Sequence, residues 1–311
     1  MPPDPTRSSS RKRPLSRVPI ISSSILGNAV AVRVRYFTDP ACSWSWNTEP
    51  KVRRLMVEFA DSLFWTYVMG GLARDYTQDG GRMHEQLLLE WLDAADDGGM
   101  PLDPRLWTEG PIGSTYPACM AVKAAAEQSG DGGGAYLRAL REGLFCFRRK
   151  LDTTEALVEE ARRVRLDVER FRIDLGSHAI VEAFGNDLEL TRTIPEDARA
   201  LDGVADGGGG VERLTFPTLV FEGEDGSRHP VYGVRPYEDY QAAAVAAGAV
   251  SNPLRPGVLE AVRRFGRIAT REVEEVCGLP TPVASAQLWQ LAAEWKLKPV
   301  RVLTGDLWEA A

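Results

Sequence analysis

The sequence predicts an α/β protein with a large helical insertion and a small C-terminal module, and three observations carry that expectation. A strand, a helix and a buried strand follow one another within about forty residues from Val32, the pattern of a βαβ unit with its right-handed crossover. A long helical stretch then runs from about Thr77 to Asp202. β-signals return near Thr215, and proline-rich breaks at Asn252-Pro253 and Pro256-Gly257 precede a last group of short elements.

Residues 1–30 carry Pro, Ser and the basic run Arg11-Lys12-Arg13, followed by a short apolar segment, Val18 to Ile21, that Ser22-Ser23-Ser24 interrupts. A cleaved signal needs an unbroken apolar core, so this segment reads as a disordered tail and the protein as cytoplasmic. Val32 to Phe37 alternates apolar residues with Arg, the period of a strand. Asp39-Pro40 ends it, and Cys42-Ser43-Trp44-Ser45-Trp46 opens a stretch with Val52, Leu55, Met56 and Phe59 at helical spacing. Leu63 to Met69 is continuously apolar and rich in β-formers, hence a buried strand.

Within the helical stretch the segments are Leu87 to Leu92, Ala118 to Ala126, Tyr136 to Phe147, Thr154 to Val164 and Ser177 to Phe184. The fourth has a candidate cap at Asp152, with Glu155 three residues on. Gly98-Gly99, Gly132 to Gly134 and Gly207 to Gly210 mark exposed connections. The last is a flexible linker by this reading, since no strand precedes it and no Lys-Ser/Thr completes a phosphate loop. Thr215 to Phe221, a turn at Gly223 to Gly226 and Pro230 to Tyr232 form a hairpin, and Pro236 to Ala247 a helix. After the break come three short helical segments, then Val300 to Leu303 and Leu307-Trp308 about a turn at Thr304 to Asp306, an order that resembles a winged helix. No stretch approaches the roughly 18 apolar residues of a membrane span.

Composition narrows the function. The chain has 311 residues, 44% hydrophobic and 26% charged, ordinary for a globular protein with a sizeable core. Four cysteines are too few for a disulfide-stapled scaffold. His84, His178 and His229 lie far apart without Cys or acidic partners at ligand spacing, so no metal site is expected. A net charge of −7 argues against a general nucleic-acid or anionic-membrane binder. The C-terminal module carries eight basic and seven acidic residues, and its candidate recognition helix, about Pro282 to Lys296, has no basic residue in its first turns. Phosphate affinity needs Lys and Arg there, so protein contact is the better role.

Cys42 carries most of the functional weight. A cysteine in the first turn of a helix, directly after a strand, meets unpaired N–H groups and a helix dipole that favour negative charge. That predicts a lowered pKa and a nucleophilic sulfur. The strand–Cys–helix order is the thioredoxin arrangement. Pro50 stands where thioredoxins carry a helix-kinking proline, and Thr215-Phe216-Pro217-Thr218 opens a strand where that fold places a cis-proline loop. Phe216 and Pro217 would then present an extended partner's sulfur to Cys42. Ser45 is placed to hydrogen-bond the sulfur, and Trp44 and Trp46 to form a platform, one of them packing inward. Cys119 has two readings, a resolving thiol facing Cys42 and a packing residue of an Ala-rich helix. Cys146 and Cys277 read as core. Asp39 either caps the helix or raises the cysteine pKa. No Ser-His-Asp arrangement is recognisable.

The segment Phe37 to Trp46 resembles the active site of DsbA-like thioredoxin-fold proteins, most closely the intracellular FrnE type, whose pattern is Asp-Pro-x-Cys-x-Trp-Cys-aromatic. The helical insertion, the strand Leu214 to Phe221 and Tyr232-Gly233…Pro236-Tyr237 extend the similarity over residues 31 to 250. The resemblance implies a thioredoxin-like domain from 31–76 and 205–250, an inserted helical domain at 77–204, and beyond it the winged-helix-like module at 253–311. It also implies thiol–disulfide exchange with protein thiols or disulfides, no bound cofactor, and glutathione as a co-substrate. The family's second cysteine is Ser45 here, so the site is Cys-x-x-Ser. A mixed disulfide at Cys42, resolved by another thiol, is the chemistry that survives. The competing expectation is a catalytically degenerate adaptor that binds a client. A glutathione-dependent transferase or isomerase is the third, less favoured because those relatives use Ser where this chain has Cys42.

Overall fold

The protein is described from a computed structural model, over residues 31–77, 82–208 and 210–311. The expected tail at residues 1–30 lies outside the described residues. β1 (Val32–Thr38), α1 (Ser43–Glu58) and β2 (Leu63–Met69) form the βαβ unit, with Val32 opposite Leu63 and Thr38 opposite Met69 in a parallel pair. The helical stretch holds α2 (Arg82–Gly98), α3 (Leu106–Glu109), α4 (Tyr116–Ala126) and α5 (Gly134–Arg141), which runs into a π-helical turn at Glu142–Cys146. α6 (Thr154–Arg163), α7 (Val168–Leu175), α8 (His178–Arg192) and α9 (Glu196–Ala200) complete it. A small hairpin, β3 (Val204–Asp206) and β4 (Glu212–Leu214), leads to β5 (Thr218–Glu222), β6 (Arg228–Tyr232) and α10 (Tyr237–Ala246). The main sheet has the order β2-β1-β5-β6, with β5 antiparallel to both neighbours.

Four local expectations are corrected. α8 continues past Phe184 to Arg192, because its buried face includes the polar Asp187, whose carboxylate takes Lys123 and the Met69 N–H, both at 2.9 Å. The cap of α6 is Thr153, which accepts from the Ala156 N–H, while Asp152 instead accepts from the Gly113 N–H at 2.7 Å. The glycines from Gly207 close the β3–β4 hairpin rather than linking domains, with Gly207 donating to the Val211 carbonyl at 2.7 Å. The C-terminal module also contains one strand more than its sequence shows.

That module consists of α11 (Val258–Phe265), β7 (Arg267–Ala269), α12 (Thr270–Cys277), α13 (Thr281–Ala293), β8 (Leu297–Val302) and β9 (Gly305–Ala310). Its sheet is antiparallel in the order β7-β9-β8. β7 escapes a periodicity search because Arg267-Ile268-Ala269 is too short to show one.

Helix α1 joins every part. Trp46 stacks on Phe145 at 5.6 Å, and Phe145 meets Trp91 at 4.4 Å, so the insertion shares a core with the thiol-bearing helix. Val57, on the far side of α1, belongs to the core of the C-terminal module. Fully buried Glu272 fixes that junction, taking Arg53 at 3.0 Å and Arg138 at 2.7 Å while also accepting from the Ala269 N–H at the start of α12. Such a network is costly to desolvate but more costly to break, because losing Glu272 takes from buried Arg53 the carboxylate it pairs with. Among the described residues no helix is long and apolar enough to cross a membrane.

Candidate functional site

β1 ends at the mouth of the sheet, and Asp39-Pro40-Ala41 turns the chain so that Cys42 becomes the N-cap of α1. Its Sγ accepts from the Ser45 N–H at 3.4 Å, doing with sulfur what a capping oxygen usually does. The thiol also meets the Phe216 carbonyl oxygen at 3.9 Å, and the Phe216–Pro217 bond is cis. The structure therefore brings Cys42, Ser45 and Phe216 together, with Pro217 joined to Phe216 through the cis bond.

A buried relay lies behind the sulfur. Arg141 donates to Thr38 Oγ1 at 2.5 Å, and Thr38 Oγ1 donates to Ser45 Oγ at 2.8 Å. With that lone pair occupied, the Ser45 hydroxyl hydrogen is free to point at Cys42. Arg141 is in turn paired with Glu49 at 2.6 Å.

The thiol is only 5% exposed. Burial pushes its pKa up; the two Ser45 hydrogen bonds oppose that, and the Asp39 and Glu90 carboxylates add to it. The balance lies above the ordinary cysteine value, so the expectation of a lowered pKa is corrected. The helix N-terminus is in place, but desolvation outweighs it.

Asp39 is not a helix cap. Its Oδ1 accepts from the Ala41 N–H, and its Oδ2 from the Leu72 N–H, both at 2.8 Å, tying the two chain segments that flank the site. Cys119 lies on the other side of this carboxylate, to which its thiol donates at 3.2 Å. Burial, and then Asp39, push the Cys119 pKa well above the ordinary value. All four cysteines are free thiols. Cys146 donates to the Pro101 carbonyl, and Cys277 lies in the C-terminal core. Of the two tryptophans, Trp46 packs inward, its Nε1 donating to Pro101 O at 3.0 Å, while Trp44 stays half-buried against the cluster that holds Cys42 and Phe216.

Further residues belong to the site without a signal in the sequence. A Cβ on Gly70 would lie 2.1 Å from the Phe216 ring, so only glycine lets that ring close over the strand end. Arg213, on β4, covers the other face, its guanidinium carbon 4.4 Å from the ring centre. Glu90 of α2 accepts from Ser43 Oγ at 2.9 Å. Thr38 is local, at the end of β1, whereas Arg141 and Arg213 reach the site only through long-range packing.

Residues 36–195 match a family model described as thioredoxin. A protein of Halalkalibacterium halodurans named ClpXP adapter protein SpxH is 29% identical over 281 residues, covering 88% of this chain and 86% of that protein. Its namesake in Bacillus subtilis is 25% identical over 283 residues, covering 90% and 89%. In fold, the chain is similar to a crystal structure from Nitrosomonas europaea, assigned provisionally as a protein disulfide isomerase. That likeness has a TM-score of 0.56 at 20% identity, over 70% of this chain and 97% of the other.

Proposed function

The chain belongs to the DsbA-like thioredoxin-fold family, and from that premise we propose that it serves as a client-binding adapter rather than as a dithiol oxidoreductase. The observation that carries this reading is the single buried thiol of the site. Ser45 stands where a second sulfur would be needed and is held by Thr38. Cys119 is turned to Asp39. Without a second thiol in reach, no internal disulfide can form at the helix start and be passed on. The relatives named as ClpXP adapters match nearly the whole chain, including most of what lies beyond the thioredoxin-like part. On this reading the partners are a protein client and ClpXP, and the C-terminal module, locked to α1 through Glu272, offers a fixed protein-contact surface. The order of its elements supports the winged-helix-like description, and the recognition-helix position carries no cation in its first turns, so nucleic acid is not the partner. An adapter of this kind is cytoplasmic and needs no cofactor.

The test is a turnover assay on a glutathionylated protein, run beside client pull-downs with wild-type and Cys42→Ala protein. An adapter shows no turnover and unchanged capture. Multiple turnovers by wild type, abolished in Cys42→Ala, would overturn the adapter reading.

A second reading is kept because the sulfur retains its hydrogen-bond donors. The Ser45 N–H and hydroxyl would stabilise a thiolate once Phe216 moves aside; Cys42 would then attack a partner's disulfide, release one half as a thiol and hold the other as a mixed disulfide until a thiol such as glutathione resolves it. Trp44, Phe216 and Pro217 would line that contact. The resolving thiol then comes from outside the site, since Cys119 is turned to Asp39.

A further inference from the structure

One cation near Cys42 differs from the buried arginines packed around α1. Arg53, Arg138 and Arg141 each have a glutamate partner within 3.0 Å. Arg213 is half-buried and makes no ion pair among the described residues. Its Nη1 donates to the neighbouring Leu214 carbonyl at 2.8 Å, and its Nε is buried without a partner. The two carboxylates of the site are engaged elsewhere, Asp39 with two backbone N–H groups and Cys119, and Glu90 with Ser43. Burial pushes the Arg213 pKa down, while Cys42, Asp39, Tyr76 and Glu90 oppose it, so its field is directed at the site. Arginine cannot shed its charge at any ordinary pH. A half-buried guanidinium without a counter-ion is therefore a receptor whose desolvation cost an arriving anion would offset, and its planar fork suits a carboxylate.

We propose that Arg213, stacked on Phe216 beside Cys42, receives a carboxylate carried next to a partner's sulfur, so that the site selects anionic disulfides. The proposal rests on the mixed-disulfide reading of Cys42. In that step the Cys42 thiol gives its proton to solvent and its sulfur attacks the nearer sulfur of a partner disulfide. The new S–S bond forms as the old one breaks, and the departing thiolate takes up a proton. Cys42 is oxidised to the disulfide level and the departing half is reduced. Arg213 is a specificity residue here, holding the attacked half in place without taking part in the exchange.

The experiment compares rates of mixed-disulfide formation at the Cys42 peptide, read by mass spectrometry, for a dianionic bis(nitrobenzoate) disulfide and neutral dithiodipyridine. Each rate is normalised to that of free cysteine. Arg213→Gln is expected to lower the anionic-to-neutral ratio about tenfold, as loss of a charge-assisted pair does. Arg213→Lys should retain most of the preference, and Arg213→Glu should lower it further. An unchanged ratio in Arg213→Gln overturns the proposal. No modification of wild-type Cys42 by either reagent removes the mixed-disulfide reading itself, and the proposal with it. Two further arms, glutathione disulfide and a cysteine peptide disulfide flanked by glutamates, identify the carboxylate as a small thiol's or a protein's by showing which preference depends on Arg213. Dependence in neither contradicts the assignment.

Discussion

A cysteine at a helix start gains from the dipole only to the extent that its thiolate is also solvated or fully hydrogen-bonded. At Cys42 two donors come from Ser45, but the Phe216 carbonyl and ring replace water on the other side. Alkylation of Cys42 by iodoacetamide is therefore expected to be slow at pH 7 and to rise only above about pH 8.5, the unperturbed cysteine value. A midpoint below that value would show that the site opens readily. The missing thiol gives a complementary prediction. Ser45→Cys should create a disulfide between the introduced thiol and Cys42, detectable by mass spectrometry, and raise insulin reduction above that of the wild type. Thr38→Val removes the group between Arg141 and Ser45 and leaves a buried donor unsatisfied. It should cost about 1–3 kcal/mol in urea unfolding.

Much of this site could be read from the chain because its signals are local. Cys42 follows a strand, Ser45 is one helical turn on, and Phe216-Pro217 opens a returning strand. The protonation state could not be read, since it depends on what covers the sulfur. Arg213 and Arg141 could not be read either, because each reaches the site from a different element far along the chain.

At the scale of elements, α1 is held by side chains that no amphipathic pattern shows. Its inward face carries Glu49 and Arg53 as well as Val52 and Leu55, all buried. These charges are satisfied by Arg138 and Arg141 of α5 and by Glu272 of α12. Glu272→Ala would leave Arg53 and Arg138 short of a partner and remove the side chain that closes the start of α12. The cost is expected at about 3–5 kcal/mol. Hydrogen exchange should accelerate in α11 and α12 before it does in β1. Uniform acceleration across the chain would show that the module does not loosen as a unit. Strands β1, β2 and β5 were legible because each has enough residues to show a pattern. β3, β4 and β7 have three residues each and show none. The end of α8 was hidden by a buried aspartate at a position where a helical pattern calls for an apolar side chain.

On the scale of the whole molecule, the thioredoxin-like part, the insertion and the C-terminal module meet on one helix. A protein bound to the module and a group bound at Cys42 therefore address the same rigid body. The fold class followed from the order of strand, helix, strand, long helical run and returning hairpin. The choice between the proposed adapter and a monothiol enzyme did not, because both readings start from the same Cys42 and Ser45. The three most buried thiols extend the argument to pH. Burial raises Cys42, Cys119 and Cys146 above the unfolded value, so their contribution to stability is complete below about pH 8.5 and is lost as pH rises through their folded values. The urea midpoint should fall over that alkaline range, and less steeply in Cys119→Ala.

The most direct test of the adapter account is the binding of the purified full-length chain to purified ClpXP, measured by interferometry for wild type and Cys42→Ala. The account predicts saturable binding with the same affinity in both proteins. Absence of binding, in a preparation that turns over a disulfide substrate through Cys42, would contradict it.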